Sequence, residues 1–72
     1  MTTTLSPRQR QVLDLASRGL SYVEVGQRLG LSFDTVKRHM SLALRKLEAK
    51  DRAHAVRICF ERRVFLVPDE EA

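Results

Sequence analysis

Apolar residues recur at intervals of three and four along most of the chain, which is the period of an α-helix with one buried face. The first such stretch begins at Ser6-Pro7, where Ser is a favoured cap, Pro suits the first helical position and Gln9 stands three residues after the Ser. This arrangement predicts a helix that begins near Pro7 and is ended by Gly19. Its apolar face consists of Val12, Leu13, Ala16 and Leu20.

Two further helices follow with very little chain between them. Ser21 and Glu24 repeat the capping pattern, and Gly30 stands at the end of the short helix that they predict. Ser32 then caps a longer helix over 33–47, so only Gly30 and Leu31 separate the two. A short helix, a tight glycine-containing turn and a longer helix are typical of a helix-turn-helix.

The predicted helix 33–47 has two faces of different chemistry. At 100° per residue its apolar positions fall within an arc of about 100°; they are Val36, Met40, Ala43, Leu44 and Leu47. A second arc, centred about 130° away, carries Asp34, Lys37, Arg38, Ser41 and Arg45. The lysine, arginine and serine side chains of this arc are donors that reach base edges and phosphates in a major groove. A basic face on an isolated helix is commonly only solvated surface. The capped short helix and the glycine turn that precede helix 33–47 favour a role in DNA binding.

The last predicted helix, roughly Arg52 to Arg62, is apolar around an unusually wide arc of about 200°. The residues that form this arc are Ala55, Val56, Ile58, Cys59 and Phe60. An apolar run over 64–67 follows. Either the tail folds back over this surface or a second copy of the chain covers it. We expect residues 1–4 to be a disordered arm and residues 67–72 an acidic, frayed tail.

Composition adds a preference for a polyanionic partner. The 72 residues carry a net charge of +4, but three of the nine acids lie at 69–71, and residues 1–68 alone carry 13 − 6 = +7. Such an excess on one small domain favours binding to nucleic acid without implying sequence specificity. No signal peptide and no apolar run of roughly 20 residues is present, so we expect a cytoplasmic protein without membrane contact.

The sequence offers little for catalysis or metal binding. His39, His54 and Cys59 show no recognised ligand or nucleophile spacing, and the single Cys59 cannot form an intrachain disulfide. Cys59 is expected to be a buried apolar residue. The prediction is therefore no enzymatic activity, no metal, no cofactor and no small-molecule ligand.

Several motifs together resemble the LuxR or GerE-type helix-turn-helix of bacterial regulators. They are Leu-Ser-Pro-Arg-Gln-Arg-Gln-Val-Leu at 5–13, Gly-Leu-Ser at 19–21, Glu-Val-Gly-Gln-Arg-Leu-Gly-Leu-Ser at 24–32, Thr-Val-Lys-Arg-His at 35–39, Arg-Lys-Leu at 45–47 and Arg-Ala-His-Ala-Val at 52–56. The resemblance implies an all-α, four-helix (tetrahelical) domain over 5–66. It also implies a transcription regulator, either a stand-alone protein or the effector domain of a response regulator, that binds inverted half-sites on double-stranded DNA as a homodimer.

The resemblance also implies roles for individual residues. The positions that face bases correspond to Lys37, Arg38 and Ser41. The positions at or near phosphates correspond to Ser32, Thr35, His39 and Arg45. The homodimer is expected to join through the fourth helix, with Val56, Cys59, Phe60 and Arg63 at the interface.

Three positions depart from the family pattern, and two other functions remain open. Gly26 stands where the family usually has Ala, which costs about 1 kcal/mol of helix stability; Arg63 replaces a Gly, and Leu42 replaces a polar residue. Residues 20–47 also resemble the promoter-reading region of sigma factors. Alternatively, the fourth helix and apolar tail form a protein-interaction module, with RNA polymerase or another regulator as partner.

Overall fold

A computed structural model of the chain describes residues 5–62 and contains four α-helices in that range: α1 (Pro7–Ser17), α2 (Tyr22–Leu29), α3 (Phe33–Leu47) and α4 (Arg52–Glu61). No strand occurs in residues 5–62. The predicted all-α, four-helix fold is confirmed. The predicted arm 1–4, Arg63, the apolar run 64–67 and the acidic tail 67–72 lie outside the described residues.

The first two helices begin with reciprocal capping hydrogen bonds, as the sequence predicts. The backbone N–H of Gln9 donates to Ser6 Oγ at 3.1 Å, and the backbone N–H of Ser6 donates to Gln9 Oε1 at 3.0 Å. Glu24 and Ser21 repeat both bonds at 3.1 Å and 2.8 Å. Each pair satisfies two backbone groups that a helix start otherwise leaves without partners.

The helix ends use left-handed residues. Gly30 ends α2 with φ +73°, and Gly19, just past the end of α1, has φ +94°. Both glycines therefore have the role that the sequence assigned to them. Glu48 ends α3 with φ +57°, which the sequence did not predict, since left-handed residues other than glycine are uncommon.

The core forms around α3, which packs against each of the other three helices. Its buried residues Val36, Met40, Ala43 and Leu47 lie on the predicted apolar face, with Leu44 partly buried beside them. The remaining core residues come from the other helices and the segment before α1. They are Leu5, Val12, Leu13, Ala16, Val25, Ala55, Ile58 and Cys59. This packing fixes which face of α3 is left for solvent.

The wide apolar arc of α4 divides between the core and the surface. Ala55, Ile58 and Cys59 are buried in the core, Val56 is half-buried and Phe60 is 57% exposed. Burial in the monomer core therefore accounts for most of the apolar residues that make this arc so wide. Because Cys59 is fully buried, its thiol cannot reach a second copy of this fold, and we remove it from the expected dimer interface.

Gly26 is required by the turn that joins α2 to α3. The backbone N–H of Leu31 donates to the Gly26 carbonyl oxygen at 2.8 Å, which draws the turn against α2. A Cβ on Gly26 would overlap the carbonyl oxygen of Leu31 and would lie 3.5 Å from Val36 Cγ2. The expectation that Gly26 weakens α2 rests on helix propensity alone. It does not include this close approach between Gly26 and the Leu31 carbonyl group.

Candidate nucleic-acid interface

The outward face of α3 is polar and mainly basic. Its exposed residues within Lys37 to Lys46 are Lys37, Arg38, Ser41, Leu42, Arg45 and Lys46. From Lys37 to Arg45 the helix rises about 12 Å, the length of roughly four base pairs of B-form DNA. The face thus has the size and the donors that major-groove binding requires.

The residues predicted to face bases lie together at the centre of this face. Lys37, Arg38 and Ser41 are all exposed and lie within two successive turns of α3. Within residues 5–62, Arg38 makes no hydrogen bond or ion pair, so its guanidinium is available to a ligand. Leu42 is 38% exposed beside them and presents an apolar surface.

The residues predicted to lie near phosphates begin at the N-terminus of α3. Ser32 Oγ accepts a hydrogen bond from the Thr35 backbone N–H at 3.1 Å and donates to Thr35 Oγ1 at 2.9 Å. The hydrogen of the Thr35 hydroxyl remains available to a phosphate oxygen. The unpaired N–H groups and the positive end of the helix dipole favour an anion at the same place.

His39 and Arg45 extend the predicted phosphate contacts along α3. His39 is half-buried, and its Nδ1 is shut off from solvent without a hydrogen-bond partner in the described part of the chain. Only Nε2 is therefore available to contact a phosphate. Arg45 is exposed two turns further along the helix, where a cation also stabilises the helix C-terminus.

A row of cations and aromatic rings leads to the N-terminal turn of α3, and sequence reasoning missed it. The Arg52 guanidinium lies 5.2 Å from the centroid of the Tyr22 ring, and the Tyr22 and Phe33 centroids are 6.2 Å apart. Lys37 Nζ lies 5.8 Å from the centroid of Phe33. We call these four residues the cation–aromatic row. Only the spacing of four residues between Phe33 and Lys37 was visible in the sequence.

The histidines and the cysteine have structural surroundings. The Lys50 backbone N–H donates to His54 Nδ1 at 3.0 Å, beside the start of α4. Burial raises the pKa of the Cys59 thiol to about 11, and Arg62 opposes part of that rise. In residues 5–62 no group of three or more His, Cys, Asp or Glu is arranged to hold a metal ion. None of the helices in that range is long and apolar enough to cross a bilayer.

Comparison with known proteins supports one of the two helix-turn-helix classes left open by the sequence. The family model described as bacterial regulatory proteins, luxR family, matches residues 3–59. The match extends into α4 as far as Cys59, whereas the sigma-factor resemblance covers only 20–47. The LuxR-type resemblance is confirmed.

Curated relatives carry names of the same kind. The chain is 42% identical over 66 residues to the transcriptional activator protein CarR of Pectobacterium carotovorum, covering 92% of this chain and 27% of that protein. It is 38% identical over 64 residues to the transcriptional activator protein BjaR1 of Bradyrhizobium diazoefficiens, covering 89% and 26%. It is 34% identical over 61 residues to the nitrate/nitrite response regulator protein NarL of Escherichia coli, covering 85% and 28%. The chain thus spans little more than a quarter of each relative.

Proposed function

Because the chain belongs to the luxR family of bacterial regulatory proteins, which are DNA-binding transcription regulators rather than enzymes, we propose that it binds specific double-stranded DNA sequences through α3. The observation that carries the proposal is the division of α3 into two faces. Val36, Met40 and Ala43 fix one face in the core, so Lys37 and Arg38 are presented outward on a rigid element. In this position α3 enters the major groove.

Contacts divide into those that position the protein and those that read sequence. Phosphates are bound by the hydroxyl of Thr35, Nε2 of His39 and the guanidinium of Arg45. These contacts set the register of α3 on the duplex and carry no sequence information. Ser32, already bonded to Thr35, contributes through the same helix N-terminus. Lys37, Arg38 and Ser41 would then reach base edges, where a bidentate arginine or a lysine selects guanine.

The active species in this proposal is a homodimer joined through α4. Val56 and Phe60 supply apolar surface on α4 outside the buried core, and Arg63 follows them beyond the described residues. A two-fold axis beside α4 would place two copies of α3 about 34 Å apart, so half-sites would be inverted with centres about 10 base pairs apart. The apolar area on α4 is small, so dimerisation is expected to be weak until both copies bind DNA.

The proposal is tested by selecting bound sites from a random duplex library with the full chain. The expected result is a motif of two inverted half-sites with centres about one helical turn apart. A matched selection with the Lys37→Ala, Arg38→Ala double variant should lose that motif while retaining salt-sensitive, sequence-independent binding. Enrichment of no motif by the unmodified chain, together with binding that does not weaken as salt rises, would favour the protein-interaction alternative.

A further inference from the structure

Phe33 is exposed in a position that packing does not explain. It begins α3, is 47% exposed, and contributes nothing to the buried core. Its ring nevertheless contacts two partners in the cation–aromatic row, the Tyr22 ring with its centroid at 6.2 Å and the Lys37 ammonium at 5.8 Å from the Phe33 centroid. A large apolar side chain held beside a base-facing residue requires a reason other than stability.

The far end of the row is fixed to the main chain. Arg52 Nη2 donates to the carbonyl oxygens of Ala16 at 3.1 Å and Leu20 at 2.9 Å while its guanidinium covers the Tyr22 ring. Tyr22 is half-buried and packs against the core. Because Arg52 and Tyr22 are held in place, the Phe33 ring packs beside a rigid neighbour.

The near end of the row is Lys37, which is exposed and has no hydrogen bond or ion pair within residues 5–62. A lysine side chain carries large rotamer entropy, and part of it is lost when the ammonium is held against one base. An ammonium over an aromatic face is attracted by the ring quadrupole, which makes the electrostatic potential over that face negative, and the attraction strengthens when water is excluded. The Phe33 ring therefore favours a small set of Lys37 rotamers before DNA arrives.

We propose that Phe33, supported by Tyr22, is a positioning residue for Lys37, and that base-pair preference at the position Lys37 reads depends on the Phe33 ring. This inference rests on the proposed function, because it needs Lys37 to contact a base. The strength of an exposed cation–π contact corresponds to roughly a two- to fivefold change in affinity for each half-site. That change should appear in selectivity and not in stability.

The first test compares Phe33→Leu, which keeps apolar bulk without an aromatic face, with Phe33→Tyr, which keeps the face. The readout is the ratio of affinities for a preferred duplex and for a duplex altered at the base pair that Lys37→Ala identifies. Phe33→Leu should lower this ratio roughly two- to fivefold, and Phe33→Tyr should preserve it. The control Val23→Ala, at a 53% exposed apolar residue of α2 outside the row, should leave the ratio unchanged.

A second test separates positioning from direct DNA contact. In a Lys37→Ala background, Phe33→Leu should have no further effect on the ratio, since the two residues act as one unit. In the free protein, the Lys37 Hε protons should be shifted upfield by the ring, and Phe33→Leu should remove that shift in the NMR spectrum. All three Phe33 and Val23 variants should unfold at nearly the same temperature as the parent chain.

The outcomes distinguish this inference from the function beneath it. An unchanged ratio in Phe33→Leu overturns the inference alone. An effect that persists in the Lys37→Ala background also overturns it, because Phe33 would then contact DNA itself. If Lys37→Ala alters preference at no base pair although the chain selects a motif, base reading by Lys37 is wrong and the inference fails with it.

Discussion

The guanidinium of Arg52 donates to the carbonyl oxygen of Leu20 at 2.9 Å and so joins the first residue of α4 to the loop after α1. A second bond from the same nitrogen reaches Ala16 in the last turn of α1. The Ala16 carbonyl oxygen also accepts from the Gly19 backbone N–H at 3.0 Å, so Arg52 adds a second donor at the end of α1 and reaches the Leu20 carbonyl in the loop, across more than thirty residues of chain. α4 is therefore attached to α1 by a polar contact as well as by the core.

This contact predicts a large stability cost for a partly exposed residue. Arg52→Ala should lower the free energy of unfolding by about 2–3 kcal/mol, since two hydrogen bonds from a charged group are lost and the Leu20 carbonyl oxygen loses the donor that reaches it. Arg52→Lys should recover only part of this loss, because an ammonium lacks the flat guanidinium surface that covers the Tyr22 ring while Nη2 bonds both carbonyl oxygens. Denaturant unfolding measures both, with Arg57→Ala, which removes only an exposed ion pair to Glu61, as the control. Equal losses of unfolding free energy in Arg52→Ala and Arg57→Ala would contradict the stabilising role given to the Arg52 hydrogen bonds.

The second prediction concerns Gly26→Ala. Helix propensity alone predicts a gain of about 1 kcal/mol, whereas overlap of the new Cβ with the Leu31 carbonyl group predicts a loss of about 1–3 kcal/mol. Since the obstructing atom is main chain and cannot rotate away, we expect a net loss and a lower Tm. Calorimetry measures the Tm of Gly26→Ala and of the control Gln27→Ala, which changes an exposed neighbouring residue. A raised Tm for Gly26→Ala would show that the turn moves without cost.

The third prediction is a pH dependence of stability at Cys59. Burial raises the pKa of its thiol from 9.0 to about 11, so between these values the unfolded chain loses the proton that the folded chain keeps. The stabilising contribution is therefore complete below pH 9 and is lost as the pH rises toward 11. The difference in unfolding free energy between the parent chain and Cys59→Ala isolates this effect. That difference should shrink above pH 9, and parallel curves up to pH 11 would contradict it.

The fourth prediction concerns the proposed dimer. Val56→Glu places a charge on a half-buried apolar residue of α4, so it should abolish cooperative occupancy of paired half-sites while single half-sites are still bound. Circular dichroism should show that the variant remains helical. Gln11→Glu, an exposed position on α1, adds the same charge and should leave cooperativity intact. If Val56→Glu is folded and still binds paired sites cooperatively, α4 is not the dimer contact.

Local signals explain how much could be predicted from the sequence. The caps at Ser6, Ser21 and Ser32 depend on residues three positions away, so helix starts were readable along the chain. The two faces of α3 likewise follow from one helix's own period. The close approach at Gly26 and the bonds of Arg52 depend on how separate elements meet, and no local pattern encodes them.

In the candidate site, too, some features follow from local sequence patterns and others depend on how separate helices pack. Lys37 and Arg38 could be placed on an exposed face because burial of α3 is periodic, and the structure has them there. The Phe33 ring could not be connected to Tyr22, because that contact requires the angle between α2 and α3. On α4, periodicity could not divide the apolar residues between core and surface, which is why Cys59 was assigned to an interface.

The central claim is that α3 reads bases through Lys37 and Arg38 and binds phosphate through Arg45. The most direct measurement is the affinity of the three single alanine variants for a preferred duplex and for duplexes altered one base pair at a time. Lys37→Ala and Arg38→Ala should each relax preference at particular base pairs by roughly 1–3 kcal/mol, whereas Arg45→Ala should weaken binding to every duplex about equally and lower the log-log salt slope by about 0.9. Uniform losses from all three substitutions would contradict the account.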